Sequence, residues 1–462
     1  MGNPIRTALA VGACKSIQGI LRRTKHGGTT LPGKAAMAFD KNILEEVSRG
    51  MEVILVTGTN GKTTTCRMIC QAMEASGFDT LTNTSGANLL PGVVAEFTAN
   101  ASLSGKPRSH YAVIECDEGA LKQIVPLVHP KVILVTNLFR DQLDRYGEIT
   151  HTLEEIRIAC EKAPESTLCL NADCSLTSSL GEDLPNKVVY YGLDISLEDP
   201  KAVDVSDARY CLRCGTEYSY TYHTYAHLGS FRCPSCGYHR KDTQVAVTEI
   251  LHVGIQGTSF RLAIRDGEKE ISAEARCALA AVYNIYNAAA TIGAFVAAGY
   301  DTSRAIPALA DVTSSFGRME NFDLDGVPLQ MILIKNPAGC NQALAYLSEV
   351  EEERAVALCL NDRTGDGHDI SWIWDADYER LCTDARVRRV YISGDRAEEM
   401  SLRLKYGGID TTKIELVQSD GELIERMRVS EVPVFILPNY TAMLSLRVAL
   451  GEITGKRSYW DV

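Results

Sequence analysis

The run Thr57-Gly58-Thr59-Asn60-Gly61-Lys62-Thr63-Thr64-Thr65 combines glycines, a lysine and hydroxyls in a pattern that can cradle phosphate. Glycines let backbone N–H groups approach phosphate oxygens, and a helix N-terminus behind them adds positive potential. Lys62 can then reach the β- and γ-phosphates, and the Thr63 hydroxyl can hold magnesium. The spacing departs from the general G-x-x-x-x-G-K-[ST] rule, because Val56 stands where the first glycine falls. A second constellation, Cys211-x2-Cys214-x18-Cys233-x2-Cys236, has tetrathiolate zinc spacing, with Gly215 and Gly237 at the turns. Four thiolates close the coordination shell and leave no position for water, so the zinc they imply is structural rather than catalytic. Cys116 lies beside Glu115 but has no histidine near it in sequence, and it reads as an inert thiol at the end of a buried strand. Glu349, Glu351, Glu352 and Glu353 read as a solvated face at a helix end.

These residues need elements to hold them. Before the glycine-rich run stands the apolar Val53-Ile54-Leu55-Val56, and after it residues 63–75 have helical texture, the strand–loop–helix context a phosphate loop requires. Two further apolar runs, 111–114 and 132–135, end in Glu115 and in Thr136-Asn137. Short, wholly apolar runs are expected of central strands in a parallel sheet covered on both faces, and ligands sit beyond the carboxyl ends of such strands. Three polar strand ends therefore predict one site. The texture changes near residue 205: residues 210–240 are rich in Cys, Tyr and His, and a β-like stretch returns at 244–264. An alanine-rich helix is predicted over 273–298, ending at Gly299. A second α/β pattern follows a boundary placed near 316, with strands expected at 330–334, 355–360, 390–392, 414–417 and 434–437 and helices including 397–404 and 440–450.

The chain has 462 residues, 47 basic and 59 acidic, for a net charge of −12. That length suits about three domains, read as a basic N-terminal segment (1–50), a central domain (51–315, with the cysteine-rich insertion at 206–240) and a C-terminal α/β domain (316–462). An acidic balance argues against broad nucleic-acid binding. Fifteen cysteines, many inside apolar runs such as those around Cys66, Cys70, Cys160 and Cys359, fit a reducing cytosol. No run of 18 apolar residues is present, which excludes a hydrophobic spanning helix. The stretch 8–14 is broken by Lys15 and Gln18 and lacks a signal-peptide cleavage site. Residues 1–39 hold Arg6, Lys15, Arg22, Arg23, Lys25 and Lys34 and no acid, consistent either with a solvated helix packed on the next domain or with a surface that approaches anionic headgroups.

The phosphate-loop version TGTNGKTTT resembles that of the Mur ligases, the ATP-dependent amide-forming enzymes of peptidoglycan synthesis, and further motifs match in order. Ile114-Glu115-Cys116-Asp117-Glu118-Gly119 resembles the strand end whose glutamate ligates magnesium. Thr136-Asn137 through Asp141-Gln142-Leu143-Asp144-Arg145-Tyr146-Gly147 resembles the TN…DHLD…G segment. Asn284-Ile285-Tyr286-Asn287-Ala288 resembles the adenine-binding asparagine motif, and Gly317-Arg318-Met319-Glu320 the arginine at the domain junction. The likeness runs from about residue 51 onward. It implies a Mur ligase-like central P-loop domain with a parallel-rich sheet and a zinc-ribbon insertion, followed by a Rossmann-like α/β domain. It also implies that Gly58, Thr59, Asn60, Gly61, Lys62, Thr63, Thr64, Asn137, Asn284, Asn287 and Arg318 bind ATP. Thr63 and Glu115 would hold Mg2+, and Lys62 and Glu115 would act in the reaction.

Two positions depart from the family pattern. Gln142 stands where typical members carry a histidine ligand for a second magnesium, and Glu155-Ile156-Arg157-Ile158 lies near the expected carbamylated lysine. These departures, the cysteine-rich insertion, Lys335-Asn336-Pro337-Ala338-Gly339 and the segment from Asn361-Asp362 through Asp366-Gly367-His368-Asp369-Ile370-Ser371-Trp372 are similar to one branch of the family. Its synthetase subunits amidate the D-glutamate of lipid II at the membrane surface.

Amidation requires activating a carboxylate with ATP so that ammonia can attack it, and no G-x-C-x-G nucleophile elbow is present to release ammonia from glutamine. The resemblance therefore implies a separate glutamine amidotransferase subunit, GatD. It also implies that Asp369 supplies the third member of that subunit's Cys–His constellation, with Asp366 as competitor and a helix cap near Ser371 as the plainer role for Asp369. Trp372 and Trp374 could anchor the loop against the partner. Two rival readings are a stand-alone amino-acid ligase of the Mur or folylpolyglutamate type and a P-loop ATPase that grips nucleic acid through its ribbon. Assays with candidate amino acids, and salt-dependent DNA or RNA binding, discriminate them.

Overall fold

The computed structural model describes residues 3–23, 30–83, 87–140, 149–196, 207–254, 257–266, 269–279, 281–312 and 318–456. Residues 141–147 and Gly317 of the motifs above lie outside them, as do Lys25 and the side chains of Arg22 and Arg318. The chain divides into two compact units. The first comprises residues up to Leu138, Ile149–Pro200 and Ala208–Thr313; the second is built on Ser314–Val462 together with Phe139, Arg140 and Asp207.

The first unit begins with helices α1 (Pro4–Arg23), α2 (Thr30–Phe39) and α3 (Ile43–Ser48). Its sheet contains β1 (Glu52–Thr57), β2 (Thr80–Thr82), β3 (Tyr111–Glu115), β4 (Val132–Val135), β5 (Thr167–Asn171), β6 (Val188–Leu193), β9 (Val245–Gly254), β10 (Gly257–Asp266) and β11 (Lys269–Cys277). A separate hairpin supplies β7 (Ser219–Tyr225) and β8 (Leu228–Arg232). The nine strands run in the order β11-β10-β9-β6-β5-β4-β1-β3-β2. From β9 through β2 every neighbouring pair is parallel, and β9, β10 and β11 form an antiparallel meander at one edge.

β4 is buried at every position, and β1 and β3 at every position but the first, which explains why these runs are continuous rather than alternating. β1 lies between β3 and β4, so the chain reverses direction across the sheet there. The crevice at that switch point is where open parallel sheets bind ligands. Helix α4 (Lys62–Ala75) leaves the crevice directly after β1, and α5 (Leu90–Asn100), α6 (Glu118–Val128) and α7 (Ile149–Glu161) complete the crossovers.

The alanine-rich stretch starting at 273 is not one helix. Residues 269–277 form β11, and the helix, α8 (Val282–Ala298), begins five residues later and ends at Gly299 with φ of 69°. The reason is period: Ala275 and Cys277 are buried while Glu274 and Arg276 face out, an alternation of two that a helix cannot satisfy.

In the second unit a six-stranded sheet runs β12-β13-β17-β14-β15-β16. Its strands are β12 (Arg318–Leu324), β13 (Val327–Ile332), β14 (Arg354–Cys359), β15 (Val387–Ser393), β16 (Ile414–Leu416) and β17 (Val434–Pro438). Only the β12–β13 pair is antiparallel. Helices α9 (Pro337–Glu349), α10 (Ala397–Tyr406), α11 (Asp420–Arg428) and α12 (Tyr440–Thr454) alternate with the strands. One core cluster joins Met331, Ala357, Ile436, Leu446 and Leu450 across sheet and helix. Glu349 and residues 351–353 are exposed, the solvated face expected of that charge run.

Candidate functional site

The loop after β1 is shaped by close approach. Gly58 has φ of 116°, and a Cβ there would meet Thr136 Oγ1 at 2.4 Å and Asn137 O at 2.8 Å. Gly61 has φ of 85°, and its Cβ would meet Asn287 Oδ1 at 2.3 Å. No L side chain fits either position. The loop is tied to the end of β4: Thr59 N donates to Asn137 O (2.9 Å), Asn60 N to Asn137 Oδ1 (3.0 Å), and Asn137 Nδ2 to Asn60 O (3.1 Å). From the other side, Thr65 Oγ1 donates to Asn287 Oδ1 (3.2 Å), and Asn287 Nδ2 to Asn284 Oδ1 (3.1 Å). Loop, strand end and asparagine helix thus meet through hydrogen bonds, and Gly58, Thr59, Asn60, Gly61, Thr64, Asn137, Asn284 and Asn287 fall in one neighbourhood.

Charge is concentrated at the adjoining end of β3. Lys62 Nζ donates to Gly58 O (2.5 Å) and pairs with Glu118 Oε1 (2.9 Å), and both side chains are almost wholly buried. Burial pushes the Lys62 ammonium down, but the carboxylates of Glu118, Glu115 and Asp117 outweigh it and hold the group above the ordinary lysine range. Thr63 Oγ1 donates to Glu115 Oε2 at 2.7 Å, so the two oxygens expected at magnesium are already side by side. Asn83 fixes the backbone of Glu115 from both sides, accepting from Glu115 N (2.8 Å) and donating to Glu115 O (2.9 Å). Asn88 Nδ2 lies 3.4 Å from Glu115 Oε1. A hard cation takes oxygen ligands of this kind. Asp117 has a local task, capping α6 by accepting from Gly119 N at 3.1 Å. The Cys116 thiol is fully buried and pushed well up, first by burial and then by these three carboxylates, which suits an inert group and not a nucleophile.

Glu118, Asn83 and Asn88 escaped the sequence reading. Three acids within four residues at a strand end were the available signal for Glu118; nothing marked the asparagines. Farther along, Glu155 pairs with Lys122 (2.5 Å), and Arg157 pairs with Glu154 and Glu161 on its own helix face.

The four ribbon cysteines converge. Their sulfurs all lie within 4.8 Å of one another, with Cys211–Cys236 at 3.6 Å and Cys214–Cys233 at 3.4 Å. These distances are far too long for disulfides and near the ~3.8 Å between sulfurs around a tetrahedral zinc with Zn–S of about 2.3 Å. Gly215 (φ 71°) and Gly237 (φ 77°) close the two knuckles. Tyr218, Phe231 and Tyr238 pack behind them.

Buried Asp173 seats this insertion on the body. It accepts from Arg240 Nε (2.5 Å), Leu193 N (2.8 Å) and Tyr286 Oη (2.5 Å), while its carbonyl receives Gly229 N (3.0 Å). Tyr286 lies beside Asn287, so the hairpin reaches the asparagine motif through this carboxylate and through Thr224, whose hydroxyl lies 2.6 Å from Tyr286 Oη. Sequence gave no sign of this link. Cys174 and His227 make a second buried pair at 3.4 Å, but burial drives the imidazole down to about 3 and the thiol up, leaving both neutral.

In the second unit, Asp369 is half-buried. Its Oδ1 accepts from Ser371 N (2.8 Å), capping the short helix Ser371–Trp374. Hydrogen bonds from Ser371, with the charge of Arg140 beyond them, hold its carboxyl below the usual range. Asp366, by contrast, is buried and committed: it accepts from Thr441 N (2.8 Å) and Thr441 Oγ1 (2.5 Å), and burial pushes its carboxyl up. Trp374 is half-exposed against Tyr406, with ring centroids 5.8 Å apart. Arg318 opens β12, with its backbone paired to Ile332.

Two family models match the chain: the Mur ligase middle domain over residues 56–218 and the MurT ligase C-terminal domain over residues 333–443. It is 34% identical over 460 residues, covering 97% of this chain and 98% of the relative, to the lipid II isoglutaminyl synthase (glutamine-hydrolyzing) subunit MurT of Streptococcus pneumoniae. It is 30% identical over 412 residues (88% and 89%) to the subunit of the same name from Staphylococcus aureus. Among solved structures, a pseudomurein peptide ligase type C from Methanothermus fervidus superposes with a TM-score of 0.64 at 20% identity, over 87% of this chain and 79% of that one. That likeness concerns the fold.

Proposed function

The chain belongs to the MurT family, and from that premise we propose that it is the ATP-dependent synthetase subunit of a lipid II isoglutaminyl synthase, a carbon–nitrogen ligase of peptidoglycan synthesis. The single observation that carries this reading is likeness to MurT along nearly the whole length of both chains. The reaction begins with the D-glutamate α-carboxylate of the stem peptide attacking the γ-phosphorus of ATP, which gives an acyl phosphate and ADP. Ammonia then attacks the acyl carbon, inorganic phosphate leaves, and D-isoglutamine results.

The chain's own residues account for the first half. Gly58 and Gly61 hold the loop backbone open to phosphate oxygens, and Lys62 neutralises the charge that develops on the transferred group. For this Lys62 must move from Glu118 toward the nucleotide, and Glu118 keeps it charged meanwhile. Thr63 and Glu115 are the residues that would hold magnesium, which supplies charge neutralisation at the phosphates. Asn284 and Asn287 are the residues that would meet the adenine end of ATP, and Arg318 corresponds in sequence to the family's junction arginine. The four cysteines would hold a structural zinc.

Ammonia comes from a glutamine amidotransferase subunit, GatD, in a heterodimer. Asp369 orients the histidine of that subunit's glutaminase, since it is accessible and ionised where Asp366 is committed to Thr441. The enzyme acts in the cytoplasm at the inner membrane face, where lipid II presents its stem peptide.

The test is reconstitution. The chain, co-purified with whatever small subunit it retains from native lysate, is given ATP, magnesium, glutamine and lipid II. Mass spectrometry of the stem peptide is expected to show the α-carboxylate converted to an amide. Ligation of a free amino acid in place of ammonia is the result that overturns the reading.

A further inference from the structure

Helix α1 presents two unlike faces. Thr7, Ala10, Val11 and Cys14 are buried against the body, with the Cys14 thiol 3.6 Å from Ala95 O on α5. The hairpin is firmly seated, because Gly33 of α2 approaches so closely that a Cβ there would meet the Pro91 carbonyl. The outward face, at spacings of three and four, reads Ile5, Leu9, Gly12, Ser16 and Ile20. Ile5 is 70% exposed, Leu9 52% and Ile20 59%. Leu31 and Phe39 on α2 and Leu103 in the loop after α5 are also exposed.

Cations flank it. Arg6, Arg23 and Lys34 are exposed, and Lys15 sits near Arg108 while donating to Ala101 O. Asp40 accepts from Thr7 Oγ1 (3.5 Å), and Glu96 lies near Cys14, on the buried side of the helix. The charge segregation is strong: residues 1–39 carry +6, so the other 423 residues carry −12 − 6 = −18.

We propose that the outward face of α1–α2 is a docking surface for an anionic phospholipid bilayer, with the apolar side chains entering the interface and the flanking cations meeting headgroup phosphates. A large exposed apolar patch marks an interaction site, and an apolar stripe flanked by Lys and Arg, on a segment 1–39 that holds no acid, is complementary to an anionic bilayer interface and repels a basic protein. No helix among the described residues is long and apolar enough to span a membrane, so the contact is peripheral. The proposal deepens the amidation reading: docking holds the enzyme where a lipid-linked substrate presents its stem peptide.

The experiment is co-sedimentation of the full chain, in complex with its partner subunit, with vesicles of phosphatidylglycerol and phosphatidylcholine or of phosphatidylcholine alone. The expected result is pelleting with the anionic vesicles only, reversed by high salt. The triple variant Ile5→Ser/Leu9→Ser/Ile20→Ser is expected to bind those vesicles at least about tenfold more weakly with unchanged melting temperature and ATP binding. It should amidate detergent-solubilised lipid II normally and vesicle-borne lipid II slowly. Absence of anionic-vesicle binding overturns the proposal, as does a variant that binds like the parent. A dimer that the substitutions disperse, without vesicle binding, assigns the face to a second copy instead. Failure of the unmutated complex to amidate at all sinks the functional reading and leaves the sedimentation result to be judged separately.

Discussion

The phosphate loop and the Asp369 loop both lie just past the ends of parallel strands, yet they are built in opposite ways. Around Lys62 every charge is buried and already answered: Lys62 by Glu118, Glu115 by Thr63, the loop backbone by Asn137. Around Asp369, among the described residues, the direct hydrogen bond is local, from Ser371 N, and the half-buried side chain lies near a half-exposed Trp374. A site that completes itself inside one unit must keep its charges paired when empty, because an isolated buried charge costs several kcal/mol. A residue proposed, as Asp369 is, to serve a second protein must stay reachable, and few commitments of its own are what that role requires.

The largest expected effect is that of Lys62→Ala, a loss of ATP-dependent amidation of about 10³-fold or more. Because Glu118 is then buried without its ammonium, stability should also fall, by about 3 kcal/mol. The double variant Lys62→Ala/Glu118→Gln is expected to recover much of the melting temperature and none of the activity. Recovery of both in a steady-state assay breaks the self-contained picture of this site.

Next comes Asp369→Ala. Glutamine-dependent amidation is expected to drop by at least about 100-fold, in keeping with the loss when a histidine loses its orienting carboxylate. Activity with high added ammonium and the melting temperature should hardly move. If glutamine supports the variant as well as the parent complex, Asp369 is a helix cap and nothing more.

A smaller effect is expected from Cys214→Ser/Cys236→Ser. Metal analysis should find about one zinc fewer per chain, and the melting temperature should fall by about 5 °C. ATP binding should persist, weakened by less than about tenfold, since the hairpin meets the asparagine motif at Tyr286, through Asp173, Thr224 and Tyr225, and not at Asn287 itself. An unmutated protein without zinc refutes the metal assignment.

The smallest effect is one of pH. Lys62 is held above the ordinary lysine value of 10.5 by its carboxylates, so the stability its pairing contributes is fully present below about pH 10.5 and is lost only as pH rises through the raised value. ATP affinity measured calorimetrically between about pH 7 and 9.5 should show no step from this lysine. A step that disappears in Lys62→Arg contradicts the pairing.

How much was legible depended on the range of the signal. The strands at 53–56, 111–114 and 132–135 were readable because complete burial forces unbroken apolar runs, and the observed strands differ from these by at most a residue at each end. Residues 273–277, the second half of the strand 269–277, read as helix because alanine is a strong helix former and their alternation runs straight into the helix that follows. The strands β5, β6 and β12 drew no notice from sequence, β6 because its first half is only partly buried.

Sequence alone determined the chemistry that is local. A glycine that must approach a neighbour, a lysine one residue later, or two cysteines on one knuckle are constrained by near neighbours, so residue type and spacing carry the whole message. Tertiary structure alone decided the long-range pairings: that Lys62 rests on Glu118, that Asn83 clamps Glu115, that Asp173 ties the cysteine hairpin to Tyr286, and that Asp366 is spent on Thr441 while Asp369 is not. Each joins segments 32 to 113 residues apart with the exception of none. Such contacts are set by which strand ends the sheet order brings together and how deeply it buries them, and a buried polar group takes whatever partner that geometry supplies.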